Sequence, residues 1–323
     1  MYPLMAYELD HLTGFATTVQ KLGMQRLYMG QSVLVETHQA FAYLAGKGIR
    51  IPTGTSVTLT PLRHPLEAAV QARSLALLTG AETVAGFSTG DPGFVAALRG
   101  EPYKSPRTAI AEYLSVMRRL LDGETVEFQG EYFSVDENLL HVPHPRVSLG
   151  IGVLRSGMAF TAGQVADVAI TLLTPADYLK DQIIPALHKG AASYERPAPR
   201  VTAIVPCAVR RPGRDPRQLA FAAHELHLSG EHYASMLRGA GLDVDAADPW
   251  AGAGSIVDGG VFQYGTPDEV AEQLERYAEA GVTEIALTCA GVLLTEGMEA
   301  ALADVRDIVD AVRARTPRMS VSF

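Results

Sequence analysis

Short strand-like segments alternate with helix-like segments along the chain, eight strands in all. The strand-like segments cover residues 2–7, 24–29, 49–59, 83–88, 147–153, 168–172, 201–209 and 284–288. Segments with a helical spacing of apolar residues cover residues 9–22, 37–46, 64–79, 108–121, 157–165, 177–191, 217–237, 267–280 and 299–313. Because a helix between two strands returns the chain to the same edge of a sheet, the strands run parallel. The alternation predicts an α/β fold, a (β/α)₈ TIM barrel with insertions.

A doubly wound open sheet is the competing arrangement, and it would place a glycine-rich turn directly after the first strand. Residues 6–10 contain no glycine. No proline- or serine-rich linker interrupts the chain, so we expect one domain over residues 1–323. Two segments depart from the repeat. Alternation around Gln129-Gly130 predicts a β-hairpin within residues 123–140, and the glycine- and aspartate-rich residues 242–262 predict a long loop.

Charge and cysteine content limit the class of partner. The net charge of −9 argues against a nucleic acid or an acidic membrane. The chain has no apolar run of about 18 residues, the length of a membrane span, and its first ten residues lack the pattern of a signal peptide. Cys207 and Cys289 lie in apolar runs, which predicts buried free thiols in a reducing cytoplasm, and no Cys/His spacing predicts a metal site. We expect a cytoplasmic protein that binds a small molecule.

Four segments carry a family resemblance in their order and spacing. They are residues 53–58 followed by Arg63-His64-Pro65, residues 143–145 leading into 149–152, residues 156–158 continuing through 162–167, and residues 265–270 followed by 280–282. The chain resembles the luciferase-like monooxygenase and reductase family, and Arg63-His64-Pro65 resembles its deazaflavin branch. One departure is Val168, where the family carries glycine.

The resemblance implies an oxidoreductase that binds coenzyme F420, with FMN as the alternative. The cofactor would lie across the carboxyl-terminal mouth of the barrel and exchange hydride with a C=C, C=N or C=O carbon of a small organic substrate, natural products included. Reduction is the expected direction. The resemblance also implies a homodimer, for which residues 66–78 are the candidate face. The rival functions are a reduced-FMN monooxygenase of the same family and a non-catalytic barrel that binds a ligand.

The resemblance places the cofactor ring against the third predicted strand. In deazaflavin enzymes of the family the position of Ser56-Val57 carries a non-prolyl cis peptide, and the resulting bulge presses on the ring; an ordinary trans strand is the alternative. We therefore predict that Ser56, Val57 and Thr58 bind the cofactor. Ser88 and Gly90 end the next strand, where glycine lets the backbone approach a flat ring, although a simple turn glycine would look the same.

An anion site is predicted where residues 154–158 lead from a strand into a helix. Helix N-termini offer unpaired N–H groups and a favourable dipole to a phosphate. Arg155 would add a charge-assisted hydrogen bond. The predicted phosphate-binding residues are Arg155, Ser156, Gly157 and Met158, and an ordinary loop between strand and helix is the alternative.

Proton transfer is harder to assign. Many relatives carry an acidic residue and a histidine where this chain has Gln31 and Ser32. An amide can hydrogen-bond a substrate but cannot exchange protons at neutral pH. The catalytic candidates are therefore Gln31 by hydrogen bonding, and Glu8 and His38 by acid–base chemistry, although a histidine in the position of His38 more often lies on a helix surface. Arg63 and His64 are interpreted as residues that fix a strand-to-helix turn.

Overall fold

The computed structural model describes residues 1, 9–32 and 34–315. The strands are β1 Leu27–Met29, β2 Thr53–Leu59, β3 Thr83–Ser88, β4 Val126–Gln129, β5 Ser134–Glu137, β6 Val147–Gly152, β7 Val168–Leu172, β8 Arg200–Val209, β9 Gln263–Gly265 and β10 Glu284–Thr288. The helices are α1 Leu9–Lys21, α2 Thr37–Gly46, α3 Pro65–Thr79, α4 Pro92–Arg99, α5 Pro106–Leu121, α6 Ser156–Val165, α7 Ala176–Tyr178, α8 Ile184–Ala192, α9 Pro216–Leu228, α10 Glu231–Gly239, α11 Pro249–Asp258, α12 Pro267–Glu279, α13 Ala290–Glu296 and α14 Met298–Arg315. A 3₁₀ turn covers Thr60–Leu62, and a π-helical turn, Leu179–Ile183, joins α7 to α8. The predicted strand over residues 2–7 and the candidate Glu8 lie outside the described residues.

All of the strands above except β4 and β5 form one parallel sheet that closes into a barrel. Their order is β1-β2-β3-β6-β7-β8-β10, and the short β9 pairs with the end of β8. Tyr28 on β1 donates a hydrogen bond to Glu284 on β10 over 2.9 Å, although these strands stand at opposite ends of that order. The interior is filled by one apolar cluster: Tyr28, Val84, Val168, Ile170, Ile204 and Ala286. The (β/α)₈ barrel predicted from the alternation is confirmed.

A network of charges closes the amino-terminal end of the barrel, which we call the floor. Arg26, which is 1% exposed, lies 2.8 Å from Glu82 and 3.4 Å from Glu284. Glu82 also accepts hydrogen bonds from Ser148 and Arg200, each over 2.7 Å. Burial alone would raise the pKa of Glu82, but these hydrogen bonds and the two guanidinium charges outweigh it and lower that pKa to about 2. The floor therefore holds a paired, ionised carboxylate.

Most predicted elements agree with the structure. The strands over residues 83–88, 168–172 and 284–288 and the helix over 37–46 keep their bounds. A β-hairpin is present within residues 123–140, where β4 and β5 pair antiparallel. Among the described residues, no helix is both long and apolar enough to cross a membrane.

The core between the sheet and the helices extends to the contact of α6 with α8. Gly163 lets the two helix backbones approach each other there, because a Cβ on this residue would lie 2.2 Å from the Leu187 carbonyl.

Two predictions after β8 are wrong. Residues 242–262 are not a loop throughout, because α11 lies within them; Asp248 caps it by accepting from the Ala251 N–H, and Pro249 follows at the first helical position. The helix predicted over residues 217–237 is two helices, α9 and α10, which break at Ser229-Gly230. Three short elements were not predicted: α4, β9 and α13.

Candidate active site

The carboxyl ends of the parallel strands meet at one edge, which we call the mouth. Its first structural feature is a bulge in β2. The Ser56–Val57 peptide is cis, and the register between β2 and β3 shifts between Thr55 and Thr58. The cis peptide expected from the family resemblance is confirmed, and the trans strand is not. The hydroxyl of Thr58 donates to the Gly86 carbonyl over 3.2 Å and its side chain is fully buried, so that hydroxyl is held by β3.

Gln31, at the end of β1, lies beside the bulge. Its N–H donates to the Val57 carbonyl over 2.9 Å, and its side-chain amide nitrogen donates to the Ser32 carbonyl over 3.0 Å. The Ser32 hydroxyl accepts from the Leu34 and Val35 N–H groups, so Ser32 fixes the turn that leaves the strand. The sequence-based candidates Gln31, Ser56 and Val57 are thus brought together.

Three side-chain oxygens at this end of the barrel are buried without a hydrogen-bond partner among the described residues. They are Gln31 Oε1 on the β1 side, Ser56 Oγ in the bulge and Thr288 Oγ1 at the end of β10. Buried polar groups are almost always paired in native proteins. Three atoms at the mouth are therefore available to hydrogen-bond a polar ligand.

β3 and β6 form the opposite side of the bulge. A Cβ on Gly152, the last residue of β6, would lie 3.4 Å from Val57 Cγ1 and 3.6 Å from Ser88 Cβ. The Ser88 hydroxyl accepts from the Gly90 N–H over 3.3 Å. Gly90 has a φ of +84°, a backbone conformation that other residues rarely adopt. Val57 and Ser88 therefore share a surface next to Gly152, and Gly90 shapes the turn beyond it.

The amino terminus of α6 follows β6 by three residues. Arg155 is its N-cap and provides no side-chain acceptor, so no cap side chain occupies the first-turn N–H groups. Arg155 and Ser156 are exposed, and Met158 packs on the core. A Cβ on Gly157 would lie 3.8 Å from the Cδ and Nη1 atoms of Arg107 on α5. Arg107 is a second cation at this helix end; its position in the sequence, 50 residues from Gly157, gave no signal of this.

His38 forms a cluster with Glu36 and Arg63 between α2 and the start of α3. His38 Nδ1 lies 2.8 Å from Glu36 Oε1, and Arg63 lies 3.4 Å from the same oxygen. Burial would raise the pKa of Glu36, but the hydrogen bond and charge of His38, the Gln39 N–H and Arg63 lower it to about 2. The side chain of His38 is only 11% exposed, so the helix-surface interpretation is wrong.

The neighbouring His64 has the contacts of a structural residue. Its Nδ1 accepts from the Leu66 N–H at the start of α3, and its Nε2 lies 3.3 Å from the Ser134 carbonyl of the hairpin. Tyr113 on α5 donates to the Arg63 carbonyl over 3.2 Å. Both residues fix the path from β2 to α3.

Three further kinds of feature could mark a site: the two cysteines, clusters of metal-binding residue types, and the clefts of the surface. The thiols of Cys207 on β8 and Cys289 after β10 are free, buried and 3.8 Å apart, although 82 positions separate them in sequence. No group of three or more His, Cys, Asp or Glu within the described ranges is arranged to hold a metal ion. A cleft of about 210 Å³ lined by Arg73, Leu139 and His144 lies beside the segment that enters β6, at the floor side of the barrel. That cleft is not part of the mouth.

Comparison with known proteins decides the family. The family model for luciferase-like monooxygenases matches residues 3–284. The chain belongs to this family.

Two curated relatives of this luciferase-like protein are a reductase and a dehydrogenase by name, and the name of the dehydrogenase specifies F420. It is 24% identical to 5,10-methylenetetrahydromethanopterin reductase of Methanopyrus kandleri over 270 residues, 73% of this chain and 76% of the relative. It is 30% identical to F420-dependent glucose-6-phosphate dehydrogenase of Mycobacterium avium over 154 residues, 46% of each protein.

Solved structures share the fold over nearly all of this luciferase-like chain. An F420-dependent secondary alcohol dehydrogenase with an F420-acetone adduct has a TM-score of 0.74 at 17% identity, covering 95% of this chain and 97% of its own. A coenzyme F420-dependent tetrahydromethanopterin reductase from Methanopyrus kandleri has a TM-score of 0.75 at 17% identity, covering 98% of this chain and 98% of its own. Monooxygenases are also among the structures with this fold.

Proposed function

We propose that this protein is an F420-dependent oxidoreductase, with reduction of a small organic substrate as its reaction. The observation that carries the proposal is the mouth itself. The β2 bulge faces Gly152 and Ser88, and the free amino terminus of α6 follows Gly152 by three residues. This arrangement would place a surface for a flat ring next to a site for an anion. The names of the Mycobacterium avium relative and of two solved structures with this fold support F420 as the cofactor.

The residues at the mouth fit such a cofactor. Gln31 Oε1, Ser56 Oγ and Thr288 Oγ1 are buried acceptors or donors without partners in the described structure, and the polar edge of a ring would pair with them. The first turn of α6, with Arg155 and Arg107, would hold the phosphate arm. When bound, F420 carries hydride in two-electron steps. This chain's residues bind it, orient it and exclude water from the reacting carbon.

The direction of reduction rests on proton handling. Gln31 cannot act as a base near neutral pH, and the carboxylate of Glu36 is already paired with His38 and Arg63. We propose that Gln31 positions the substrate by hydrogen bonding. His38, whose Nδ1 is held by Glu36, is the candidate proton donor among the described residues, and Glu8 remains a proposal from sequence. Replacement of His38 by alanine separates these roles: a loss of more than about a hundredfold in turnover would make it a general acid.

A reduced-FMN monooxygenase is the second candidate, because monooxygenases share the fold. A fluorescence titration with F420 and FMN, followed by oxygen uptake with each reduced cofactor, tests both. We expect tighter F420 binding and no oxygen uptake. Equal or inverted affinities would refute the F420 assignment. Oxygen uptake with reduced FMN would establish the monooxygenase, and absence of turnover with either cofactor would leave the non-catalytic barrel.

A further inference from the structure

Three histidines and a tyrosine form a row of touching rings on α9 and α10. The ring centroids of His224 and His227 are 5.7 Å apart, those of His227 and Tyr233 are 5.1 Å apart, and those of Tyr233 and His232 are 4.9 Å apart. The break at Gly230 makes the row possible, since a Cβ there would lie 2.9 Å from His232 Cε1. We call these four residues the histidine row.

The helices that carry the row follow the carboxyl end of β8, on the mouth side of the barrel. His232 on α10 is close enough to Asp91, after β3, and Arg155, after β6, for their charges to act on its pKa. α9 packs on α13, which follows β10; a Cβ on Gly291 would lie 2.3 Å from the Leu219 carbonyl of α9. In sheet order β3 and β6 are separated from β10 by β7 and β8. The helices α9 and α10 therefore cross the mouth.

The row contains unsatisfied hydrogen-bonding groups. His224 is 2% exposed, and neither of its ring nitrogens has a hydrogen-bond partner in the described part of the chain. His227 Nδ1 is likewise buried and unpaired. Burial, with the charge of the neighbouring histidine, lowers the pKa of His224 to about 3 and that of His227 to about 4. Both imidazoles are thus neutral at physiological pH, and each offers one donor and one acceptor.

We propose that the histidine row is the substrate-binding wall of the mouth, where His224 and His227 receive the oxygen of a neutral carbonyl or hydroxyl compound. This inference rests on the proposed oxidoreductase function and names its substrate class. A neutral oxygen that accepts from one imidazole N–H, or a hydroxyl that also donates to the other ring nitrogen, pairs the buried atoms without bringing an uncompensated charge into the protein. A carboxylate or an ammonium group would remain unbalanced beside two neutral rings.

The test uses five probes of one ring size: cyclohexanone, 2-cyclohexen-1-one, cyclohexanol, cyclohexanecarboxylate and cyclohexylamine. Thermal unfolding is measured for the full-length protein with and without F420. We expect the neutral probes to raise the wild-type Tm by about 2 °C or more, because a ligand of the native state stabilises it. The two charged probes should leave the Tm unchanged. An equal shift with a charged probe, or no shift with any neutral probe, overturns the proposal.

Variants locate the binding. His224→Leu and His227→Leu should abolish the probe shift, while His224→Gln, which keeps a donor and an acceptor, should retain at least half of it. His188→Leu, on the exposed face of α8, is the matched control and should keep the full shift. A full shift in the folded leucine variants overturns the proposal. An F420 titration of the same samples separates the proposed function from the proposed substrate wall. Absence of F420 binding would refute the proposed function. The Tm shifts that the probes cause in cofactor-free protein test the histidine row.

Discussion

Gly86 lies where the bulge of β2 presses against β3. A Cβ at this position would be 2.2 Å from the Thr55 carbonyl oxygen and 2.5 Å from Ile170 Cδ1, and the first of these is backbone that cannot rotate away. We predict that Gly86→Ala lowers the free energy of unfolding by about 3 kcal/mol, the upper range for overpacking. Denaturant unfolding measures it. Gly46→Ala is the control, since no atom lies within 4 Å of a Cβ there; a loss as small as in that control would contradict the close approach.

Gly157 tests the anion site without disturbing the fold. A Cβ there meets Arg107 at 3.8 Å, an ordinary contact, so a side chain can be accommodated. Gly157→Asp should raise the dissociation constant for F420 at least about tenfold, because its carboxylate repels a phosphate and competes for Arg107. Gly157→Ala should change it far less. Should F420 bind the folded aspartate variant as tightly as wild type, the phosphate arm lies elsewhere.

Some residues of the site could be predicted from sequence and others could not. Val57 and Ser88 lie near the carboxyl ends of strands, and Gln31 and Gly157 follow such ends by a few residues; parallel strands bring these ends together whatever the loops do. His224 and His232 offered no such rule. Their rings join one row only because the helix breaks at Gly230, and helical periodicity alone predicted an unbroken segment there.

Among the elements, the long ones were predictable and the short ones were not. Strands such as β3 and β7 are almost continuous buried runs, and α3 and α5, with 15 and 16 residues, contain about four turns in which to establish a helical period. α4 and α13 have only 8 and 7 residues, too few for a clear period, and the 10 residues of α11 include two glycines. Asp91-Pro92 and Asp248-Pro249 do carry an N-cap followed by proline, and this was the available signal.

The floor links strands through Glu82, and its charge makes stability depend on pH. The pKa of Glu82 falls from 4.5 to about 2 on folding, so its contribution is complete above pH 4.5 and is lost as the pH falls from 4.5 towards 2. Glu82→Gln should be less stable than wild type at pH 7 and should lose less stability over that interval. Urea unfolding at several pH values measures both slopes.

Glu279→Gln is the control variant, because Glu279 is exposed on α12. Its free energy of unfolding should depend on pH as that of the wild type does. Parallel curves for wild type and Glu82→Gln would show that the floor carboxylate does not control acid stability.

At the scale of the whole molecule, an apolar surface on α3 bears on assembly. Val70 and Leu77 are exposed on this helix, and Arg73 between them donates to the carbonyl of Leu140, whose side chain is 82% exposed. The predicted homodimer would bury this face. We predict that Leu77→Glu and Leu140→Glu shift the protein towards a monomer, because a carboxylate in a self-complementary contact meets its own copy.

Light scattering after size-exclusion chromatography measures the mass. Leu226→Glu on α9, where the leucine is 83% exposed and so matches Leu140, is the control and should not change the mass. A wild-type monomer, or a dimer that both α3-side variants leave intact, would contradict the assignment of this face.

The separation of floor and mouth has a consequence for how this protein can change over generations. The floor carboxylates Glu82 and Glu284 are already paired with guanidinium or hydroxyl groups, while Gln31 Oε1 and Thr288 Oγ1 at the mouth have no hydrogen-bond partner in the described structure. Substitutions at Gln31, Thr288, His224 and His227 can therefore be selected without disturbing the ion pairs and hydrogen bonds that join the strands at the floor. In a barrel of this kind, substitutions that change substrate specificity cost little stability. Descendants of one ancestral barrel can therefore evolve to act on unrelated substrates.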